Sequence, residues 1–447
     1  MLEERIAEWR AYVSRRQGIH AMDVDELDDH LRNQVSDLEA AGLDEEEAFL
    51  IGAKRIGDLD TLSREYAREY SERLWKRLVV TAGTGGGEWN REATVAVGLA
   101  VAAGVTIKVP ELFGLSLVEE QTFPFYARNF SLFALPFLAA LLAWKRALPT
   151  GGWAWLGGAF VAAAVVINLI PFVPDGHTFW LAALHLPLAL WLVVGVAYVA
   201  GQWRDPRQRM NFVRFSGEWF IYLALIALGG GALMAITALL FSAAGVDPEP
   251  LLNEWILPCG IVGAVVIAGW LVEAKQSVIE NMAPVLTMIF TPLFTLMLLA
   301  FLGTMAWTGS GINVEREILI GFDLLLVLVV GLHLYSLSAR DPHADPGVFD
   351  KLQFVLVVCA LLVDLLALWA ILARISEFGF SPNKVAALGE NLILLANLGG
   401  AAVLYARFLR GRTGFASMER WQTNFLPVYL VWATVVVVLF PVFFRFV

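Results

Sequence analysis

The sequence predicts an all-α, polytopic membrane protein: a transmembrane bundle of about eleven helices behind a small N-terminal helical domain. Three observations predict it. Hydrophobic residues make up 58% of the chain and charged residues only 17%, against roughly 25% charged in soluble domains. Apolar runs of about 18 or more residues, each long enough to cross a bilayer as a helix, recur from Ala93 to the C-terminus. Sixteen Trp and 29 Phe can furnish the aromatic belts that sit at membrane–water interfaces.

The first 78 residues have a different character. Residues 1–77 hold 12 Lys/Arg against 19 Asp/Glu, so most of the net charge of −10 lies here. So acidic a head argues against nucleic acid as a partner, because phosphate binding needs a basic face. Helical spacing puts Leu2, Ile6, Trp9 and Val13 on one stripe and Leu27, Leu31, Val35 and Leu38 on the next. Asp23 and Asp44 are placed as N-caps, and Gly42 and Gly57 as helix stops. Glu45, Glu46 and Glu47 fall in a first turn, where the helix dipole favours acids. A last helix from Asp58 turns Leu59, Leu62, Tyr66, Tyr70 and Leu74 inward. The expectation is a four-helix domain over 1–78. A glycine-rich linker over 79–91, containing Thr81–Gly87, joins it to a membrane domain over 92–447. No apolar leader follows Met1, which places the head in the cytoplasm.

The expected spans are 92–109, 130–144, 151–171, 178–200, 217–243, 254–273, 284–306, 316–338, 351–374, 387–409 and 424–444. Charge sets their direction. Lys145 with Arg146, Arg204 through Arg214, Arg340 through Lys351 and Arg407 through Arg420 all fall on one side. The opposite loops carry Glu119, Glu120, Asp175, Asp247 and Glu249. Basic loops face the cytoplasm, which gives an N-inside, C-outside protein. Arg374, Lys384 and Arg445 run against the rule.

Three successive spans, from Glu315 to Arg410, carry polar groups where hydrocarbon is expected. Asp323 lies roughly 10 Å deep, Asp364 and Asn397 roughly 15 Å, at 1.5 Å of rise per residue. Glu390 and Asn391 share the third span, and Arg374 and Lys384 sit in the connection before it. A charged group at the membrane centre costs at least ~2.5–3.5 kcal/mol and marks ion or substrate pathways. Asp323, Asp364, Asn397, Glu390, Asn391 and Arg374 are therefore the candidate site, a polar layer suited to a proton, a cation or a ligand's polar group. The alternative is that each bonds to a neighbouring helix for packing alone. No cofactor or metal set is expected. Cys259 and Cys359 stand alone, as do His185 and His333, without a second ligand at metal spacing. Hydrolase signatures such as Gly-x-Ser-x-Gly and His-Glu-x-x-His are missing.

Two stretches resemble known families. Ala41-Gly-Leu-Asp-Glu-Glu-Glu-Ala48 followed by Ala53-Lys-Arg-Ile-Gly-Asp58 resembles the permease prefix domain of bacterial membrane proteins and the related HAAS-type signalling domain. That resemblance implies a cytoplasmic helical adaptor, not an enzyme, with a cytoplasmic regulator as a possible partner. Thr291-Pro-Leu-Phe294, Arg374 through Ser381 and Arg410-Gly-Arg-Thr-Gly414 are similar to a bacterial inner-membrane family of unknown function. Lys384 departs from it where arginine is expected. Together they imply residence in the inner membrane, with the lipid bilayer as the first partner. Two functions follow as expectations: a permease-like transporter with a regulatory prefix, or a signalling or scaffolding protein whose head docks a cytoplasmic regulator.

Overall fold

The computed structural model describes residues 6, 28–29, 31–36, 38, 44, 47–49, 86–117, 119–173, 176–243, 247–274, 282–308, 316–340 and 344–446. The chain divides into two compact units, Met1–Glu92 and Ala93–Val447.

In the first unit, Ile6, Leu31, Val35, Leu38 and Ala48 form a buried apolar cluster with Phe49 against it. Asp44 caps as the sequence predicts: its Oδ1 accepts the Glu47 backbone N–H at 2.8 Å, filling one of the donors a helix start leaves open. The expected helix from Asp58, and the linker up to Gly85, lie outside the described residues.

The second unit is a bundle of α-helices: α1 (Gly86–Lys108), α2 (Phe123–Lys145), α3 (Thr150–Leu169), α4 (His177–Tyr198), α5 (Pro206–Ala243), α6 (Leu257–Ala274), α7 (Met282–Thr308), α8 (Arg316–Ala339), α9 (Val348–Phe378), α10 (Pro382–Leu409) and α11 (Ala416–Phe443). Among the described residues, eleven helices are long and apolar enough to cross a membrane. The outward faces are apolar too. Val97, Val101 and Val105, one helical turn apart on α1, are 51%, 61% and 60% exposed. The outer half of α5 exposes Leu225, Leu228, Leu233 and Leu239. Water would not tolerate so much contiguous apolar surface; lipid does.

Several boundaries differ from expectation for identifiable reasons. The second span begins at Phe123 rather than 130, because Tyr126 and Asn129 find partners that make them tolerable in apolar surroundings. Tyr126 donates to the Leu115 carbonyl at 2.8 Å. Asn129 and Asn168 exchange amide bonds at 2.9 and 2.7 Å between α2 and α3. The connection expected over Arg374–Lys384 is mostly helical. α9 runs through Phe378, and α10 restarts at Pro382, a residue suited to a first turn. Gly379, at φ +73°, makes the turn.

The helix ends sort onto two faces as the charges predict. Arg146 at the end of α2 pairs with Glu273 at the end of α6 at 2.7 Å, and its guanidinium lies over Tyr198 at the end of α4. Arg209 near the start of α5 donates to Asn424 of α11 at 2.8 Å. Arg214 donates to the Ser338 carbonyl at the end of α8. Arg340 grips Asp350 at the start of α9 and stacks between Phe408 and Phe415. These bonds bring the basic ends of the bundle together. At the other face Lys108 meets Glu111 and the Glu254 carbonyl, and His177 meets Asn383 at 3.0 Å. Glu218 and Glu273, near the basic ends of α5 and α6, are buried at 4% and 8% exposure. Trp219 and Trp421 turn inward and donate to the carbonyls of Val265 and Asn397.

Candidate functional site

α9 packs more extensively on α10 than any other pair of helices described, and it also packs on α7 and α8. The polar residues singled out by the sequence lie within this group. Asp364 is fully enclosed, and neither of its carboxylate oxygens has a hydrogen-bond partner among the described residues. Asp323 of α8 accepts a bond from Asn391 of α10, Nδ2 to Oδ1, at 2.7 Å. The same amide donates to Ala387 one turn back, at 2.8 Å. Asp364 and Glu390 both lie within electrostatic range of Asp323. Three carboxylates from three consecutive helices thus lie close together, Asp364 buried and Asp323 and Glu390 half-buried, with an amide donor on one of them. Toward the acidic-loop face, Leu319, Ala370 and Ile371 close over this layer with Phe322, Ile375, Ala387 and Leu388.

The other two polar side chains in the expected layer are placed elsewhere. Arg374 lies ten residues beyond Asp364, roughly 15 Å along the helix, and its guanidinium lies over the Phe378 ring at 5.9 Å. Lys384 is the C-terminal cap of α9: its Nζ donates to the carbonyls of Gly379 at 2.8 Å and Arg374 at 3.4 Å. Such a cation complements the negative end of a helix. Asn397 belongs to a separate network. It donates to the Tyr429 hydroxyl at 2.6 Å and accepts from Gln422 Nε2 at 2.7 Å. Six residues separate Asn391 from Asn397, and at about 100° per residue that turns Asn397 away from α8 and toward α11. Close approach of α10 to α11 depends on glycine. A Cβ at Gly389 would run into the Trp432 ring, and one at Gly400 into the Trp421 ring.

A second polar group, on the same helices but nearer the basic face, escapes a reading by charge. Gln353 of α9 donates to Thr291 of α7 at 2.9 Å and to Ser336 of α8 at 2.8 Å. Its Oε1 faces His333 Nδ1 at 3.4 Å, and the His333 ring lies 5.5 Å from that of Tyr405 on α10. Gln353 and Ser336 line a cavity of about 150 Å³ with Thr287, Arg340, Asp350 and Tyr405. The available signal was one polar residue at similar depth in each of four successive spans: Thr291, His333, Gln353 and Tyr405.

The lone cysteines remain separate: Cys259 faces the Gly104 carbonyl at 3.4 Å and Cys359 is buried in the apolar core. Among the described residues, no three His, Cys, Asp or Glu side chains form a group able to hold a metal ion.

Comparison with models of known families, with curated proteins and with solved structures finds no match. The chain is an integral multi-pass helical membrane protein. That statement rests on its eleven long apolar helices and their apolar outer faces.

Proposed function

We propose that this protein is a permease-like transporter whose coupling site is the carboxylate layer of Asp323, Asp364 and Glu390, with Asn391 positioning Asp323. The reading rests above all on Asp364, which is enclosed in the bundle with no donor to either oxygen. An enclosed carboxyl group without donors is costly, and in a membrane such groups recur where protons or cations are carried. A purely structural acid would be expected to hold a bond to a neighbouring helix, as Asn397 does. The residues closing over the layer describe a site sealed on one side. That suits a carrier exposing its site to the two faces in turn. On this reading the acidic head, with its prefix-like sequence, is a regulatory cap on the cytoplasmic side of the inner membrane.

The test needs no knowledge of the substrate. Carboxyl-stretch infrared difference spectra of the reconstituted protein are recorded on changing pH or adding Na⁺. A titrating or cation-sensitive carboxyl band should appear in the parent protein and disappear in Asp364→Asn. If no band responds, or if Asp323→Asn and Asp364→Asn both leave it in place, the layer is not a coupling site. Deleting residues 1–78 separates the second reading: a signalling protein loses its cellular effect with the head and keeps it in the Asp variants.

A further inference from the structure

We propose that the cavity lined by Thr287, Ser336, Arg340, Asp350, Gln353 and Tyr405 is a water-filled vestibule open to the basic face, and that His333, which lies behind its wall against Gln353 and Tyr405, is a second proton-binding group. The proposal deepens the transporter reading in one respect only, the meaning of the two sites being on one path. The vestibule and its histidine stand on their own geometry.

The volume comes first. About 150 Å³ is room for a few waters at ~30 Å³ each, and the walls offer what water requires. Ser336 and Thr287 present hydroxyls and Tyr405 a phenol. Water in such a site needs two to four polar partners, and these walls supply them. Arg340 and Asp350, at the basic end, are joined through Nε–Oδ1 at 2.8 Å and Nη2–Oδ2 at 3.1 Å. Their charges offset one another, so the cavity is polar without being strongly charged. That excludes a tightly bound ion as its natural content and favours water.

The histidine comes second. Gln353 spends its amide hydrogens on Thr291 and Ser336, which turns its Oε1 toward His333 Nδ1. With Nδ1–H as the donor, the neutral ring keeps its lone pair on Nε2. Nε2 is buried and has no partner among the described residues. It is the atom that takes a proton: hydronium gives H⁺ to Nε2 and becomes water, and the imidazolium returns the proton to water on release, with fluctuation of the Gln353–Tyr405 wall needed for passage between the vestibule and the ring. The groups around the ring are the Gln353 amide of α9, the Thr291 hydroxyl of α7, the Tyr405 ring of α10 and Ser336 of its own helix. The nearest charges described are the Arg340–Asp350 pair at the cavity and, on the α5 flank of α8, Arg214 and Glu218 beside Tyr335. None of these charged groups has a hydrogen bond to the His333 ring among the bonds described.

Between His333 and the carboxylate layer lies an apolar septum. His333 is ten residues from Asp323 and Gln353 eleven from Asp364, roughly 15 Å along the helices. Leu326, Val329, Leu356, Val357, Ala360 and Leu398 fill the interval, and all are buried. A dry barrier between two proton-binding sites prevents a continuous leak, so a proton passes only when the septum rearranges.

Two measurements on the reconstituted full chain test this. In a background with Cys259 and Cys359 replaced by Ala, Ser336→Cys is exposed to silver ion from one side of the membrane, with Lys351→Cys as the surface control. Modification from the control's side and not from the other is expected. Silence from both sides, with the control labelled, overturns the vestibule. Thr287→Cys serves as the second wall position should Ser336→Cys fail to fold. In the second measurement, ¹⁵N-histidine spectra should contain an Nε2 signal that shifts with pH and is lost in His333→Gln. A His333 signal that stays fixed across the pH range overturns the proton-binding role. Asp364→Asn should leave both results unchanged while removing the carboxyl band, so failure of the transporter reading and failure of this one are told apart.

Discussion

Replacing Asp364 by Val should leave the protein at least as stable as the parent while abolishing the carboxyl response. Both carboxylate oxygens are buried without a partner, and the residue is 0% exposed. Leaving a buried polar group unsatisfied costs about 1–3 kcal/mol, and an apolar residue of similar size removes that cost. The change of shape works against it, since Val branches at Cβ where Asp branches one atom further out, and a poorly accommodated methyl costs about 1–3 kcal/mol. The net expectation lies between no change and a gain of roughly 2 kcal/mol. The assay is denaturation in mixed micelles followed by tryptophan fluorescence, with the infrared carboxyl band measured on the same sample. A loss of more than about 1 kcal/mol, typical of breaking a real contact, would refute the reasoning. It would mean that Asp364 holds the bundle together, and the functional argument would lose its main support. Function kept at the expense of stability is the pattern expected of an active group.

The remaining expectations concern groups that do have partners. A double-mutant cycle on Asp323→Ala and Asn391→Ala should give a coupling of about 0.6–1.7 kcal/mol, the range for polar contacts between membrane helices; no coupling would mean that the 2.7 Å bond contributes nothing. Arg146→Met should destabilise by roughly 1–3 kcal/mol, because Glu273 is left buried without its ion pair; the value is discounted from that of a deeply buried pair, since Arg146 is partly exposed. Arg146→Met with Glu273→Leu should recover part of the loss, as unfolding midpoints would show. Gly389→Leu should cost at least about 1–3 kcal/mol through collision with Trp432, whereas Gly399→Leu, with open space around it, should be tolerated.

Architecture was legible because its cause is one-dimensional. A run of apolar residues long enough to cross a bilayer announces a span wherever it points, so the eleven helices and the sorting of their basic ends could be read from order alone. Positions along the helix were legible too, which is why Asp323 and Asp364 stood out. Rotation about the helix was not. Asn397 looked like a member of the layer by depth, but its direction commits it to Tyr429 and Gln422, and Asn391 takes its place beside Asp323. The network at Gln353 was hidden for another reason. Its members are uncharged, and each alone is ordinary in a membrane helix; only their meeting across four helices makes a site. Glu273 shows the same limit: it stands at the end of the expected span 254–273, and order alone does not reveal that a neighbouring helix brings Arg146 to it.

The turn between α9 and α10 bears on how the membrane acquires a helix that carries Glu390, Asn391 and Asn397. Only Gly379, Phe380 and Ser381 separate the two, and Lys384 ties the turn to the last carbonyls of α9. α9 contains the most apolar stretch of the eleven spans, with a mean hydropathy of 2.9 against 1.7 for α10. Entering alone, α10 would carry Glu390, Asn391 and Asn397 into hydrocarbon without their neighbours. Entering as a hairpin, it is drawn in by α9 and meets that helix while both are still leaving the translocation channel. Insertion should therefore be efficient for a segment containing both helices and poor for α10 alone, as glycosylation-site mapping during synthesis would reveal. The polar interior, on this view, is delivered to the membrane already folded against its partner.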